Sequence, residues 1–308
     1  MDNRNEIREF LASRRARIGP EQAGLPAYGG NRRVPGLRRE EVALLAGVSI
    51  DYYIRLERGN LGGVSESVLE ALARALQLDE AERSHLMDLA RAAGTTTRQR
   101  RAPRQQQVRP SVQFTLDAIT GAAAFVRNGR LDVLGANKLG EALYSELYSD
   151  PQRPVNHARF TFLNPRAKAF YPDWNRAAND TVAILRTESG RDPYDRGLTE
   201  LIGELSMRSE EFRTRWAAHN VRQHRTGLKH FHHPVVGDVH LMFEALDLAA
   251  DPGLSLLVYT AEPGSATEEK LRLLGSWAAT SGQAVTPERA AQPEQTQPLE
   301  KASSADEA

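Results

Sequence analysis

Between Arg39 and Arg58 the chain reads REEVALLAGVSIDYYIRLER, and no other stretch constrains its fold as tightly. Val42, Leu45 and Ala46 recur at i, i+3 and i+4, the spacing of a helix with one buried face. Gly47 ends that helix, because a residue without a Cβ accepts positive φ in a tight turn at little cost. Ser49 then suits the N-cap of the next helix, with Asp51 in its first turn, where the helix dipole favours an anion. Ala43 supplies a small residue for the place where the two helices cross. Val42, Ala46, Val48, Tyr53 and Leu56 supply apolar side chains to fix the pair on a core. A helix-turn-helix meets all these demands within one window.

A plain helical hairpin would bury similar residues, but charge placement argues against it. With Tyr53 and Leu56 turned inward, helical geometry sends Ile50, Asp51, Tyr52 and Arg55 outward together. The N-terminal part of such a recognition helix meets base edges in the major groove of double-stranded DNA. Arg55 has the fork that pairs with guanine O6 and N7, a contact worth about 1–3 kcal/mol of discrimination. Asp51 either accepts from cytosine N4 or serves only the helix end; the sequence leaves both open. Ser49 and Ile50, at the start of the same helix, complete the expected DNA-facing set. Arg32, Arg33, Arg38 and Arg39 are placed for phosphates, where they position the protein without reading sequence. The formal net charge is zero, with 40 basic and 40 acidic residues, yet the distribution is uneven. Seven arginines and the single acid Glu21 lie between Arg14 and Arg39, and five arginines with no acid lie between Arg98 and Arg109. Such local runs attract phosphate without a basic protein overall.

Helical periodicity fills the rest of the first ninety-odd residues. Asp79 and Glu82 have capping-box spacing, and Ser65 is placed to cap the helix before them. Residues 95–110 are basic and almost free of apolar side chains, so they read as a linker. Beyond it the pattern changes. Residues 111–120 look helical, 122–127 and 131–136 are short strand candidates, and helical spacing dominates from about 137 to 216. Val239, Leu241 and Phe243 then alternate with polar neighbours, and Gly237-Asp238 is expected to turn this strand back onto Val235-Val236. A further strand is expected from Leu254 to Thr260, followed by a helix over about 267–279. The division is therefore 1–94 for a DNA-binding domain, 95–110 for the linker, 111–280 for a second domain and 281–308 for a disordered tail.

The segments RRARIGPEQAGLP (14–26), RRVPGLRREEVALLAGVSIDYYIRLERGN (32–60) and VLEALARALQLDEAERSHLMDLA (68–90) resemble the MmyB-like transcription regulators of the XRE helix-turn-helix family. In the second domain LDVLGANKLGEALY (131–144), FLNPRAKAFYPDW (162–174), SMRSEEFRTRWAAHNV (206–221), HPVVGDVHLMFEAL (233–246) and LVYTAEPGS (257–265) carry the same resemblance, in the same order. One departure is Gly121-Ala122-Ala123 before Phe125, where the family usually has a proline. The resemblance implies an α+β multidomain chain: an N-terminal all-α, lambda-repressor-like domain and a C-terminal PAS-like α/β domain that binds a small apolar ligand, fatty-acid-like molecules being the favoured class.

On that expectation Phe125, Leu134, Leu143, Phe162, Trp174, Leu241, Phe243 and Tyr259 are candidate pocket walls, though each also suits plain core packing. Asn137, His219 and His233 are candidate polar handles for a ligand, and Asn137 equally suits a helix N-cap. His230, His232 and His240 could approach one another across two strands, but no HExxH motif and no cysteine accompany them. No metal, cofactor or catalytic function is expected: GxSxG, GxGxxG and Walker motifs are absent. The lack of cysteine excludes disulfides and thiolate chemistry. No apolar run approaches the roughly 18 residues that cross a bilayer. A cytoplasmic homodimer on DNA is expected, and a second domain used only for dimerisation or protein contacts is the alternative.

Overall fold

The computed structural model describes residues 3–26, 36–94, 107–221 and 225–283. Arg32 and Arg33, expected at phosphates, lie outside the described residues. The first domain contains α1 (Asn3–Arg17), α2 (Arg39–Ala46), α3 (Ile50–Glu57), α4 (Glu66–Ala75) and α5 (Glu80–Gly94). Gly47 closes α2 at φ 64° and ψ 34°, its N–H donating to the Leu44 carbonyl at 3.2 Å while the Val48 N–H reaches the Ala43 carbonyl at 3.0 Å. That pair of bonds is a Schellman cap. Ser49 Oγ accepts from the Tyr52 N–H at 3.2 Å and starts α3. Before α5 the Glu82 N–H donates to Asp79 Oδ1 at 2.8 Å and the Asp79 N–H to Glu82 Oε2 at 3.2 Å, a reciprocal box. Ser65 precedes α4 but caps nothing with its side chain, which bonds Ser67 Oγ at 3.0 Å. Ile7, Phe10, Leu11, Val42, Ala43, Tyr53, Leu56 and Leu89 form the core that holds these helices.

The second domain begins with α6 (Pro110–Ala118), whose Pro110 sits where its missing N–H is harmless. Then follow β1 (Ala123–Asn128), β2 (Val133–Ala136), α7 (Lys138–Leu143), α8 (Ser145–Tyr148), α9 (His157–Leu163), α10 (Ala167–Phe170), α11 (Trp174–Arg191), α12 (Arg196–Arg208) and α13 (Glu210–Ala217). The chain ends its described part with β3 (Thr226–His233), β4 (Gly237–Asp247), β5 (Leu254–Thr260) and α14 (Ala266–Gln283). The strands make one antiparallel sheet in the order β2-β1-β5-β4-β3. All the helices from α7 to α13 therefore lie in the excursion between β2 and β3.

Alternation assigns the two faces. Phe125, Phe231, Leu241, Phe243, Leu257 and Tyr259 point to the inner face, where α7, α9, α10 and α14 bury them. On the outer face Leu116 of α6 covers Ala124, Val126, Leu254 and Leu256. Leu228 and Met242, opposite each other in register, stay 51% and 52% exposed on the same face. A smaller core of Leu185, Leu198, Leu201, Leu205 and Phe212 joins α11, α12 and α13.

The hairpin differs from the sequence expectation. Val235 and Val236 are not a strand; with Pro234 they form the bend, and β3 ends at His233, paired with Gly237. Proline has no N–H for a ladder, so the strand stops before it. Gly237 and Asp238 open β4 instead of turning.

Candidate DNA interface, sensor cavity and the contact between them

The outer side of α3 presents Ile50, 48% exposed, together with exposed Asp51 and Arg55. Tyr52 is half-buried, and the Arg55 guanidinium lies 4.8 Å from its ring centroid. This stack steers the guanidinium without using its N–H donors. Arg38 is exposed at the start of α2, with Nη1 3.3 Å from Glu40. Arg39, expected at a phosphate, donates its Nε to Glu57, a carboxylate only 3% exposed. Arg15 Nε of α1 reaches the other oxygen of Glu57 at 2.7 Å. Glu57 thus ties α1, α2 and α3 together, and Arg39 has a structural duty before any other.

A cavity of about 40 Å³ opens between β1, β3, β5, α9 and α11. Of the eleven residues expected at a ligand, only Phe125 and Tyr259 line it. Leu143, Leu241 and Phe243 share the same core but stand behind the lining. Leu134 faces the opposite side of the sheet, against α6. Phe162 belongs to the smaller core, edge-on to Phe212 with centroids 5.1 Å apart. Trp174 backs the wall, its indole N–H donating to the Thr161 carbonyl at 2.9 Å.

The expected polar handles have partners within the chain. Asn137 is the N-cap of α7 and all its capacity is used: Nδ2 donates to the Ile119 and Ala122 carbonyls at 2.7 and 2.8 Å, and Oδ1 accepts from Gly140 and Ala124 at 2.7 and 3.0 Å. His233 is fully buried against the Ala142 carbonyl at 3.0 Å, bracing β3 on α7. His219 lies between the domains, as described below. His230 stacks on His240 with centroids 4.1 Å apart, and His232 Nδ1 is 2.8 Å from Asp238.

The lining that sequence reasoning missed is mostly polar: Arg127, Tyr144, His157, Tyr171, Asp180 and Lys229. Lys229 Nζ donates to Asp180 Oδ2 at 2.9 Å. Burial pushes the ammonium of Lys229 down, although Asp180 resists the change. Burial likewise lowers Arg127. The imidazole of His157 is pushed down to about 3, first by burial and then by the Arg127 and Lys229 charges, so it is neutral near pH 7. The Tyr144 hydroxyl donates to that of Tyr259 at 3.1 Å, and burial raises both phenols. One signal was available: period-two counting puts Arg127 and Lys229 on the inner face with Phe125 and Phe231.

Where the domains meet, Arg186 of α11 is fully buried and donates to the Glu6 carboxylate of α1. The same guanidinium is 2.9 Å from His219 Nδ1, donates to the Trp216 carbonyl and stacks over the Trp216 ring at 4.0 Å. Arg14 of α1 donates to the His219 carbonyl and lies 3.1 Å from Glu82. His219 holds φ 52° to present that carbonyl. Burial alone would raise Glu6, yet His219, His85 and Arg186 together hold it well below the carboxylate range. Burial lowers the imidazole of His85 in α5, which packs against Gly190 of α11, where a Cβ would stand 2.5 Å from the imidazole Cε1.

Among the described residues no helix is long and apolar enough to cross a membrane. Residues 6–86 match the family profile of a helix-turn-helix domain, and residues 108–274 match that of the MmyB-like transcription regulator ligand binding domain. No curated protein matches the chain. A helix pair built to enter DNA, followed by a sheet that walls a cavity, fits both matches. The chain is a DNA-binding transcription regulator with a ligand-binding domain, and it belongs to the MmyB-like family of helix-turn-helix regulators.

Proposed function

We propose that this regulator is a cytoplasmic homodimer that reads duplex sequence with α3 and changes its grip on DNA when the second domain takes up a small molecule. The observation that carries the reading is the double duty of α11. Its Ala177, Asp180, Thr181 and Ile184 line the cavity, and its Arg186 holds Glu6 of the DNA-binding domain. Whatever displaces the helix at one end alters the contact at the other. The sheet order, with helices closing one face around a cavity, supports a PAS-like sensor. Binding alone suffices for this role, and no turnover is assigned to it. A dimer follows from the usual use of two half-sites about one helical turn, roughly 34 Å, apart.

The fatty-acid-like ligand implied by the resemblance would require the cavity of about 40 Å³ to open for an acyl chain. A second reading, in which the domain serves dimerisation or a protein partner, is favoured by the exposed Leu228, Met242 and Leu246. Native mass spectrometry of protein purified from its own host separates the two: a bound small molecule supports sensing, and a dimer carrying none supports the alternative. For DNA reading, selection from random duplexes should return a preferred site. Arg55→Ala should relax that site at one position more than it weakens non-specific binding. An unchanged site in Arg55→Ala would remove the base-reading role.

A further inference from the structure

The described lining of the sensor cavity holds more positive than negative charge. Arg127 and Lys229 both line it, and Asp180 is the acid on its wall. Asp180 is already engaged by Lys229 at 2.9 Å. No hydrogen bond or ion pair from another described residue engages the Arg127 guanidinium. The acids that act on it from further off have partners of their own: Asp247 accepts from Ser255 Oγ at 2.8 Å, and Glu188 lies 3.4 Å from Arg191. Beside Arg127, His157 is 8% exposed and its Nε2 is buried without a hydrogen-bond partner. Native interiors rarely leave a buried ring nitrogen such as this one unmatched, and where they do the reason is commonly functional. Around the two polar groups stand aromatic rings, with Phe125 and Tyr259 centroids 5.8 Å apart and Phe125 and Tyr144 5.4 Å apart.

We propose that Arg127 and His157 form an anion site, and that the molecule sensed is a compact monocarboxylate. This inference rests on the sensor reading above and names its ligand class. A carboxylate matches the planar fork of an arginine with two parallel N–H donors. His157, as the Nε2–H tautomer, donates to one of the same oxygens. A single negative charge balances the described lining, whereas a doubly charged phosphate would exceed it. The volume of about 40 Å³ suits a body of only a few carbon atoms. A long acyl chain does not fit this enclosure.

The test uses the full chain, with acetate, propionate and butyrate as probes, each beside its neutral amide. At least one carboxylate should raise the melting temperature by several degrees while its amide does not. Arg127→Met should weaken that carboxylate about 10- to 150-fold by calorimetry, the loss expected for a hydrogen bond to a charged group. Arg127→Lys should fall between the two. The unliganded Arg127→Met protein should melt no lower than the wild type, because a half-buried cation without a hydrogen-bond partner among the described residues has been removed. The proposal is overturned if no carboxylate binds, if the amides bind equally, or if Arg127→Met leaves affinity unchanged. A much lower melting temperature of unliganded Arg127→Met overturns it too, since that residue would then be bonded for structure. Affinity that climbs steadily to dodecanoate overturns the compact class. Binding of decanol with no response to carboxylates overturns the anion site yet leaves the sensor reading standing; protein from the host carrying no small molecule overturns that reading itself.

Discussion

Glu6→Gln is the sharpest probe of the contact between the domains. The substitution keeps the shape of the side chain and removes its charge, leaving Arg186 buried against a neutral group. Glu6 and Arg186 are 5% and 0% exposed, so solvent screening is slight. Removing one partner of such a pair costs about 3–5 kcal/mol. At roughly 2–4 °C per kcal/mol for a chain of this size, the melting temperature should drop by about 6–20 °C. Arg186→Met alone should cost a similar amount, and the double variant should recover about 2–3 kcal/mol relative to the sum. The sign with pH follows from the lowered Glu6 carboxyl. Its contribution is complete above the unfolded value of about 4.3 and is lost as pH falls through the folded one. The deficit of Glu6→Gln should therefore stay constant from about pH 8 to pH 6 and shrink below about pH 4.5. Calorimetric unfolding of the full chain and its three variants measures all of this. A Glu6→Gln deficit under about 1 kcal/mol, or strict additivity in the double variant, would refute the reasoning.

His157→Phe should flatten the acid side of the stability curve. A folded value of about 3 against an unfolded one near 6.5 means the wild type loses about 1.4 kcal/mol per pH unit as pH falls between them; denaturant titrations that stay parallel would contradict this. Asn137→Ala should cost about 2–4 kcal/mol, because a cap and buried backbone groups lose their partner. Ligand affinity of that variant, read by calorimetry, should not change, since the side chain is spent on Ile119, Ala122, Ala124 and Gly140. Arg38→Ala should lower the salt slope of DNA binding by about one while the selected sequence stays the same. Arg39→Ala should lower the melting temperature as well, because Glu57 loses one of its two arginines.

The helix-turn-helix was legible because its determinants are local. Gly47, Ser49 and the Asp79–Glu82 box act within a few residues and stand where spacing puts them, whereas Ser65 turns to Ser67 instead of capping α4. The strands were legible for the same reason, except at Pro234, whose missing N–H outweighs the strand preference of the valines after it. The cavity was not legible from apolar pattern, because large apolar residues on an inner face go mainly to packing; Leu241 and Phe243 show this. What marks the cavity is the reverse, a charge where alternation demands an apolar residue, as at Arg127 and Lys229. His219 and Arg14 could not be placed at all from sequence, since the segments that meet there are separated by some two hundred positions.

The close fit of His85 on Gly190 bears on how such proteins can be recombined. Nothing larger than hydrogen is tolerated at residue 190 while the imidazole stays where it is. A chimera that joins this sensor to a foreign DNA-binding half would bring Gly190 and Arg186 to a surface lacking their mates. Both parts could fold and each could still bind its own target, yet the coupling proposed above would be lost. Swapping modules should therefore preserve the packing between the domains only when α1 and α5 travel with α11.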